Sequence, residues 1–363
     1  MPLTKLRLLA VIFLVTAFGA VATVTAQPQS GRVYEFLGLP ATARITALGG
    51  YAAPDLEYDL GVALMYPSLM RPEMTNHLSL NFVDYFGDIN YGTVAFARNF
   101  EKLGPLSGSI QYINYGRFLE ADETGETFGE FTAGEYSFML GWGRRLSDRL
   151  YIGSNLKSMH SFYEEYNSWG MAVDISLSFL DPERLFAAGL VARNIGLQIS
   201  KFREGNREVL PFDLVIGASH KLANAPIRLV AVAHNLHRYD LTYPDISPSF
   251  TLSFQESTRE ETLGEKLSDV GDKLMRHMVF GLEFLPSQNF NFRVGYNYRR
   301  RQEMKVESRL STVGLSWGFG FRIARFHLNY GRSNYHLAGA PNHISISTSL
   351  QELFHRPEHI SPE

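Results

Sequence analysis

The chain has no cysteine in its 363 residues, which excludes a disulfide framework and any thiolate metal site. It has no strong charge imbalance either. The 34 Lys and Arg against 37 Asp and Glu leave a net charge of -3, and bulk affinity for nucleic acid is excluded. Beyond residue 24 there is no long apolar run, and the mean hydropathy of -0.11 excludes a bundle of membrane helices. No phosphate-binding loop occurs, and no nucleophile elbow is expected. The chain is accordingly read as a non-enzyme, with no catalytic residues, no cofactor and no metal.

What is present starts with an export signal. Lys5 and Arg7 precede an uncharged run from Leu8 to Val24, and Val24-Thr25-Ala26 offers small or β-branched residues before Gln27. That order predicts a signal peptide over 1–26, cut after Ala26. The competing reading is a single membrane-anchoring helix. Aromatic residues make up 13% of the chain, with 18 Tyr and 26 Phe, a richness that exported barrels with aromatic girdles commonly reach.

The decisive pattern has a period of two. Trp169, Met171, Val173, Ile175, Leu177 and Phe179 alternate with Gly170, Ala172, Asp174, Ser176 and Ser178. Phe290, Phe292, Val294, Tyr296 and Tyr298 alternate with Asn291, Arg293, Gly295 and Asn297. Val313, Leu315, Trp317 and Phe319 do so with Gly314, Ser316 and Gly318, and Ile344 and Ile346 with Ser345 and Ser347. One face is large and apolar, the other small or polar, as in a strand. A soluble sandwich would turn the apolar face inward. Here Gly, Ser and Asn crowd the polar face, and an apolar exterior in lipid around a filled lumen explains that better.

Comparable segments number about fourteen, an even count as such barrels have. They span 76–84, 88–98, 106–117, 133–144, 150–161, 168–180, 185–195, 212–220, 227–237, 275–285, 290–299, 309–319, 323–330 and 342–351. Periplasmic turns should be short and outer loops longer. The short ones include 146–149, 181–184, 222–226, 286–289 and 320–322; the long ones 118–132, 196–211, 238–274, 300–308 and 331–341. The predicted fold is all-β: an antiparallel outer-membrane β-barrel over 76–354, with a periplasmic tail over 355–363. The segment 27–75 is rich in Gly and Pro, lacks strand alternation and is too apolar for a disordered tail. It is read as a hatch inside the lumen, which fourteen strands make too wide for side chains alone to fill.

Within this segment, Val33-Tyr34-Glu35-Phe36-Leu37-Gly38-Leu39-Pro40-Ala41-Thr42-Ala43-Arg44-Ile45-Thr46-Ala47-Leu48-Gly49-Gly50 resembles the N-terminal signature of the PorQ family, outer-membrane components of the type IX secretion system of Bacteroidetes. The stretch Asp59 to Met70, with Pro67, is similar to the family's Asn-Pro-Ser/Ala-Leu-Leu run. Tyr66 stands where the family usually has Asn, so a turn capped by Asn there must be made differently. The signature residues are Tyr34, Phe36, Leu37, Leu39, Pro40, Arg44, Leu48, Gly49, Gly50 and Pro67. The wider relatives are PorV and the FadL-type barrels of fourteen strands with a hatch. The resemblance implies a Gram-negative, Bacteroidetes-like outer membrane. It also implies a place beside PorU and PorV in an attachment complex that holds a PorZ-like surface protein while secreted cargo is processed and joined to anionic lipopolysaccharide.

Three outer segments carry further candidates. Leu263, Leu267, Val270, Leu274 and Met278 recur at helical spacing within Thr262 to Met278, an amphipathic helix in the outer loop 238–274. It either docks a partner or folds onto the barrel's own rim. Arg299, Arg300, Arg301, Lys305 and Arg309 are placed to pair with lipopolysaccharide phosphates, or are plain surface charge. Glu120, Asp122, Glu123, Glu126 and Glu130 read as a solvated acidic loop without EF-hand spacing. His234 and His237 lie three apart at a strand end, on opposite faces, which argues against a metal pair. Three functions compete: a scaffold of the secretion complex; a FadL-like conduit for hydrophobic small molecules, which would need a lined lumen and a movable hatch; and an outer-membrane hydrolase, which would need a nucleophile and a base within hydrogen-bond reach.

Overall fold

The computed structural model describes residues 31–203, 207–242, 263–304, 312–334 and 339–351; the expected signal peptide over 1–26, the expected tail over 355–363 and Lys305 and Arg309 lie outside them. Fourteen antiparallel strands close into one barrel among the described residues. They are β1 (His77–Asp84), β2 (Asn90–Phe100), β3 (Gly104–Ala121), β4 (Thr127–Arg145), β5 (Leu150–Tyr163), β6 (Tyr166–Asp181) and β7 (Phe186–Ser200). The circuit continues with β8 (Asp213–Lys221), β9 (Ile227–Ala233), β10 (Met278–Phe284), β11 (Phe290–Asn297), β12 (Leu315–Ile323), β13 (Phe326–Ser333) and β14 (Asn342–Ser349). The seam is β1 on β14, running from His77 opposite Ser349 to Asp84 opposite Asn342. Each strand pairs only with its neighbours, so no sheet edge is left open.

The faces sort as the alternation predicts. On β6, Ser176 and Asp174 are buried at 1% and 0% exposure while Trp169 and Ile175 are open. On β4, Phe138 and Leu140 point outward at 53% and 66% exposure. A belt of this kind around the whole circumference has no place in water. With a polar lumen inside it, the exterior is that of a membrane barrel facing lipid.

Five strand ends correct the sequence reading. The segment 118–132 is no open loop: β3 and β4 run on to Ala121 and Thr127, carrying Glu120 and Glu130 on strands. Asp122 makes this possible by accepting the Thr124 and Glu126 amides in a tight turn, with Phe118 stacked on Phe131 across the pair. The strand expected over 309–319 begins at Leu315, because Gly314 sits at φ +86° and breaks the extended chain. The turn expected at 320–322 is moved to Ala324 and Arg325, and Gly320 to Arg322 continue β12. Lastly, β9 ends at Ala233, so His234 and His237 lie in the outer connection and not on opposite faces of a strand.

Residues 33–74 thread through the lumen. The thread carries two short helices, α1 (Ala43–Ala47) and α2 (Leu60–Met65). Thr42 caps the first by accepting the Ile45 amide, and Asp59 caps the second by accepting from Gly61 and Val62. At Tyr66 the chain leaves α2 with φ -117°, and Pro67 opens a single 3-10 turn, so the turn is made without a side-chain cap at 66. Two more helices stand at the outer mouth: α3 (Leu263–Arg276), leading into β10, and α4 (Tyr298–Glu303), leading out of β11. The basic run at 299–301 is thus helical and not a loop, because the Asn297 side chain accepts the Arg300 amide and starts a turn.

Candidate functional site

The small and polar residues that line the lumen are seats for the hatch backbone. Ser345 accepts the Ala43 amide at 2.7 Å, and Ser316 donates to the Ala47 carbonyl at 3.0 Å. On the opposite wall, Ser176 accepts the Ser68 amide at 2.7 Å, and Asn155 donates to the Leu64 carbonyl at 2.9 Å. Ser219 donates to the Pro54 carbonyl at 2.6 Å. At several places the approach is so close that only glycine fits, Gly295 and Gly153 among them. A side chain on Gly295 would strike the Gly49 amide and the Leu48 carbonyl carbon, and one on Gly153 would strike the Pro67–Ser68 peptide. A buried backbone must have its polar groups met, and the wall meets them from several strands at once.

Beneath these seats lies a charge cluster. Arg44 of α1 makes a bidentate pair with Glu283 of β10, both contacts at 2.9 Å. The same guanidinium reaches Asp55 at 2.7 Å and Asp59 at 2.8 Å. Arg228 of β9 bridges Glu57 at 2.5 Å and Glu283 at 2.6 Å. Arg293 of β11 completes the ring, holding Glu283 at 2.7 Å and the Asn329 amide oxygen at 2.8 Å. Hatch and wall therefore share one ionic network, with Arg44 and Glu283 at its centre, 4% and 0% exposed. Planar guanidinium groups suit this role because a fork can satisfy two carboxylate oxygens at once.

The network sits at the short-turn end of the barrel, since Glu283 is next to the last residue of β10 and Arg228 next to the first of β9. At the other end the thread is held by its first residues. Val33 bonds the Val209 carbonyl in the β7–β8 connection, and the Tyr34 hydroxyl pairs with Ser168 at 2.7 Å. Gln111 and Arg193 donate to the Phe36 and Leu37 carbonyls. The hatch thus runs the length of the lumen. Between it and the wall of β2 to β7 remains a cavity of about 40 Å³. Leu39, Ile45, Met65 and Met139 line one part of it, Lys157 and Arg193 another. The Lys157 ammonium is held by Asp174 at 2.7 Å.

Of the hatch signature, Tyr34, Phe36, Leu37, Pro40, Arg44, Leu48, Gly49, Gly50 and Pro67 are buried in the lumen and Leu39 is half-buried. Glu283, Arg228, Arg293, Asp55 and Asp59 belong to the same unit and were not singled out from the sequence. The signal for three of them was there. Each is a charge at a lumen-facing position of a strand whose neighbours are apolar, such as Leu282-Glu283-Phe284.

The outer candidates fall differently. Val270 and Leu274 of α3 are exposed; the side chains of Leu263 and Leu267 are outside the described set. Arg299 pairs with Glu303 at 2.6 Å, and Arg300 turns inward to the Gly49 carbonyl at 3.4 Å, against the hatch. His234 is buried, stacked on Tyr51 at 4.4 Å. Among the described residues no group of three or more His, Asp or Glu is placed to hold a metal. Contrary to the expectation from sequence, Gly314-Leu315-Ser316-Trp317-Gly318 does spell a nucleophile-elbow pattern. Ser316 is on strand β12, not at a strand-to-helix turn, and its hydroxyl is the one bonded to Ala47.

No protein-family model matches the chain, and no curated protein matches its sequence significantly. Among solved structures, the chain is similar to the CymD monoaromatic hydrocarbon channel, with a TM-score of 0.47 and 12% identity over 89% of this chain and 100% of that one. It is similar also to the toluene transporter TodX of Pseudomonas putida, with a TM-score of 0.47 and 10% identity over 87% and 98%. A more remote likeness is to LpxR from Salmonella typhimurium, with a TM-score of 0.31 and 12% identity over 75% and 99%. These identities concern the course of the chain alone, and the barrel rests on its own strand pairing.

Proposed function

We propose that this protein is a sealed, non-enzymatic outer-membrane scaffold, which holds a surface partner at its outer mouth as part of a secretion apparatus. The observation that carries the reading is the fastening of the hatch: a buried ionic network at one end and backbone seats along the wall. A barrel fastened in this way acts through what it presents to the outside. The resemblance at 33–50 supplies the finer reading, a type IX attachment complex with a PorZ-like partner beside PorU and PorV, at an outer membrane bearing lipopolysaccharide. Affinity purification in mild detergent tests it. A co-purifying surface protein is expected, and a folded barrel that comes away alone from its native membrane would rule the reading out.

A second reading is a gated conduit for hydrophobic small molecules. The cavity favours it, because apolar hatch side chains line it together with two cationic groups. It requires the network to open. The channels that share this course of chain make monoaromatic hydrocarbons the natural probe. Uptake of toluene or a long-chain fatty acid that is unchanged on deletion would remove this reading and leave the scaffold standing.

A further inference from the structure

Helix α3 is mounted the wrong way round for water. Its polar side is the anchored one. Asp272 accepts the Tyr298 hydroxyl of α4 at 2.7 Å and pairs with Arg276 at 2.6 Å, while Lys273 reaches Asp240 at 2.8 Å. Gly271, Asp272 and Met275 are half-buried on that side. Val270 and Leu274, the residues a soluble helix would hide, are 42% and 59% exposed. Burying a side chain of this kind stabilises by roughly 1.5–3 kcal/mol, so a helix oriented by hydrogen bonds to leave them out needs an apolar medium outside.

The strand that follows identifies the medium. Only His277 separates α3 from β10, and its amide still bonds the Leu274 carbonyl. Met278, four residues after Leu274, shares the outward face of β10 with Phe280, Leu282 and Phe284. The helix stripe thus runs directly into a column of side chains that faces lipid, with no aqueous stalk between. A helix whose last turn begins the membrane belt lies at the height of the lipid headgroups. Its last turn carries Lys273 and Arg276, and α4 beside it carries Arg299 to Arg301. Lys273, Arg276 and Arg299 are paired with Asp240, Asp272 and Glu303, so the seating in the interface rests on the apolar stripe and its continuity with β10.

We propose that α3 is an interfacial helix, its Val270–Leu274 stripe seated in the outer leaflet beside β10 and its polar side hydrogen-bonded to α4. The occupant of this face is membrane lipid. The lipid fixes the tilt of α3. This holds for either function proposed above.

The absence of cysteine makes the test direct. Single variants Val270→Cys, Leu274→Cys and Asp269→Cys are spin-labelled and reconstituted in liposomes of phosphatidylcholine and phosphatidylglycerol. Power-saturation measurements then compare access by oxygen, which dissolves in lipid, with access by a water-soluble nickel chelate. Heat-modifiable mobility on a gel establishes that each barrel is closed. Labels at 270 and 274 are expected to favour oxygen severalfold over the label at 269, which should favour nickel. Equal nickel access at all three positions overturns the proposal, since the stripe is then in water and free for a protein partner. Loss of access to both reagents at 270 and 274 overturns it too, since the protein itself then covers them.

Discussion

Arg44 is the hatch residue at the centre of the ionic network. It is enclosed, and its four carboxylate contacts come from the hatch itself and from β10. Removing one member of such a buried cluster leaves charge without compensation, a cost of about 3–5 kcal/mol. Arg44→Met is therefore expected to lower the thermal stability of the hatch and raise its sensitivity to added protease. Adding Asp59→Asn should recover part of the loss, because Arg44 is the ion-pair partner of Asp59 whereas Glu283 keeps Arg228 and Arg293; a double variant as unstable as the sum of both singles would show that the two are not coupled. His234 offers a second test. Burial, then the nearby Arg299 and Arg300, push its pKa down to about 3 from 6.5. The unfolded chain takes up a proton near 6.5 that the folded one refuses. Stability from the neutral ring is thus full above pH 6.5 and is lost as pH falls toward 3. His234→Phe keeps the stack on Tyr51 and removes the titration, so its melting temperature should change less between pH 7 and pH 4 than that of the parent.

At the scale of elements, the seats decide where α1 and the Pro67 turn lie. Gly295 and Gly153 face the lumen and admit backbone where any side chain would collide. Gly295→Val leaves the lipid face of β11 untouched. The barrel is expected to close with normal gel mobility while α1 is displaced, seen as faster amide exchange over 43–50; unchanged exchange would mean that α1 does not depend on this seat. The alternation that located β6 and β11 is local, because a strand sends successive side chains to opposite faces whatever it pairs with. It was therefore legible residue by residue. The ends of elements were not. The β3–β4 turn depends on Asp122 accepting two amides, and the start of β12 on a left-handed glycine, neither of which shows in hydrophobic pattern.

For the whole molecule, the proposed scaffold role requires a closed lumen. Fourteen strands enclose a space that water would fill if it were empty, and the inner wall of Ser, Asn and Gly would wet readily. Deleting residues 31–74 is expected to give large, steady single-channel currents in a planar bilayer where the intact protein gives none; equal conductance with and without the hatch would count against a seal. The sequence by itself determined the barrel, its strand number and which face of each strand meets lipid, because these follow from a period of two and from the length of apolar stretches. It also marked Arg44 as part of an unusual segment and put Arg293 on the polar face of its strand. Only the tertiary structure decided that these meet at Glu283. Closing the barrel on its own first strand brings Arg44 within 2.9 Å of a carboxylate 239 residues away, and no local pattern encodes a contact set by the curvature of the whole sheet. The same holds for α3, whose amphipathic spacing was plain but whose outward-turned apolar side depends on hydrogen bonds to a neighbouring helix.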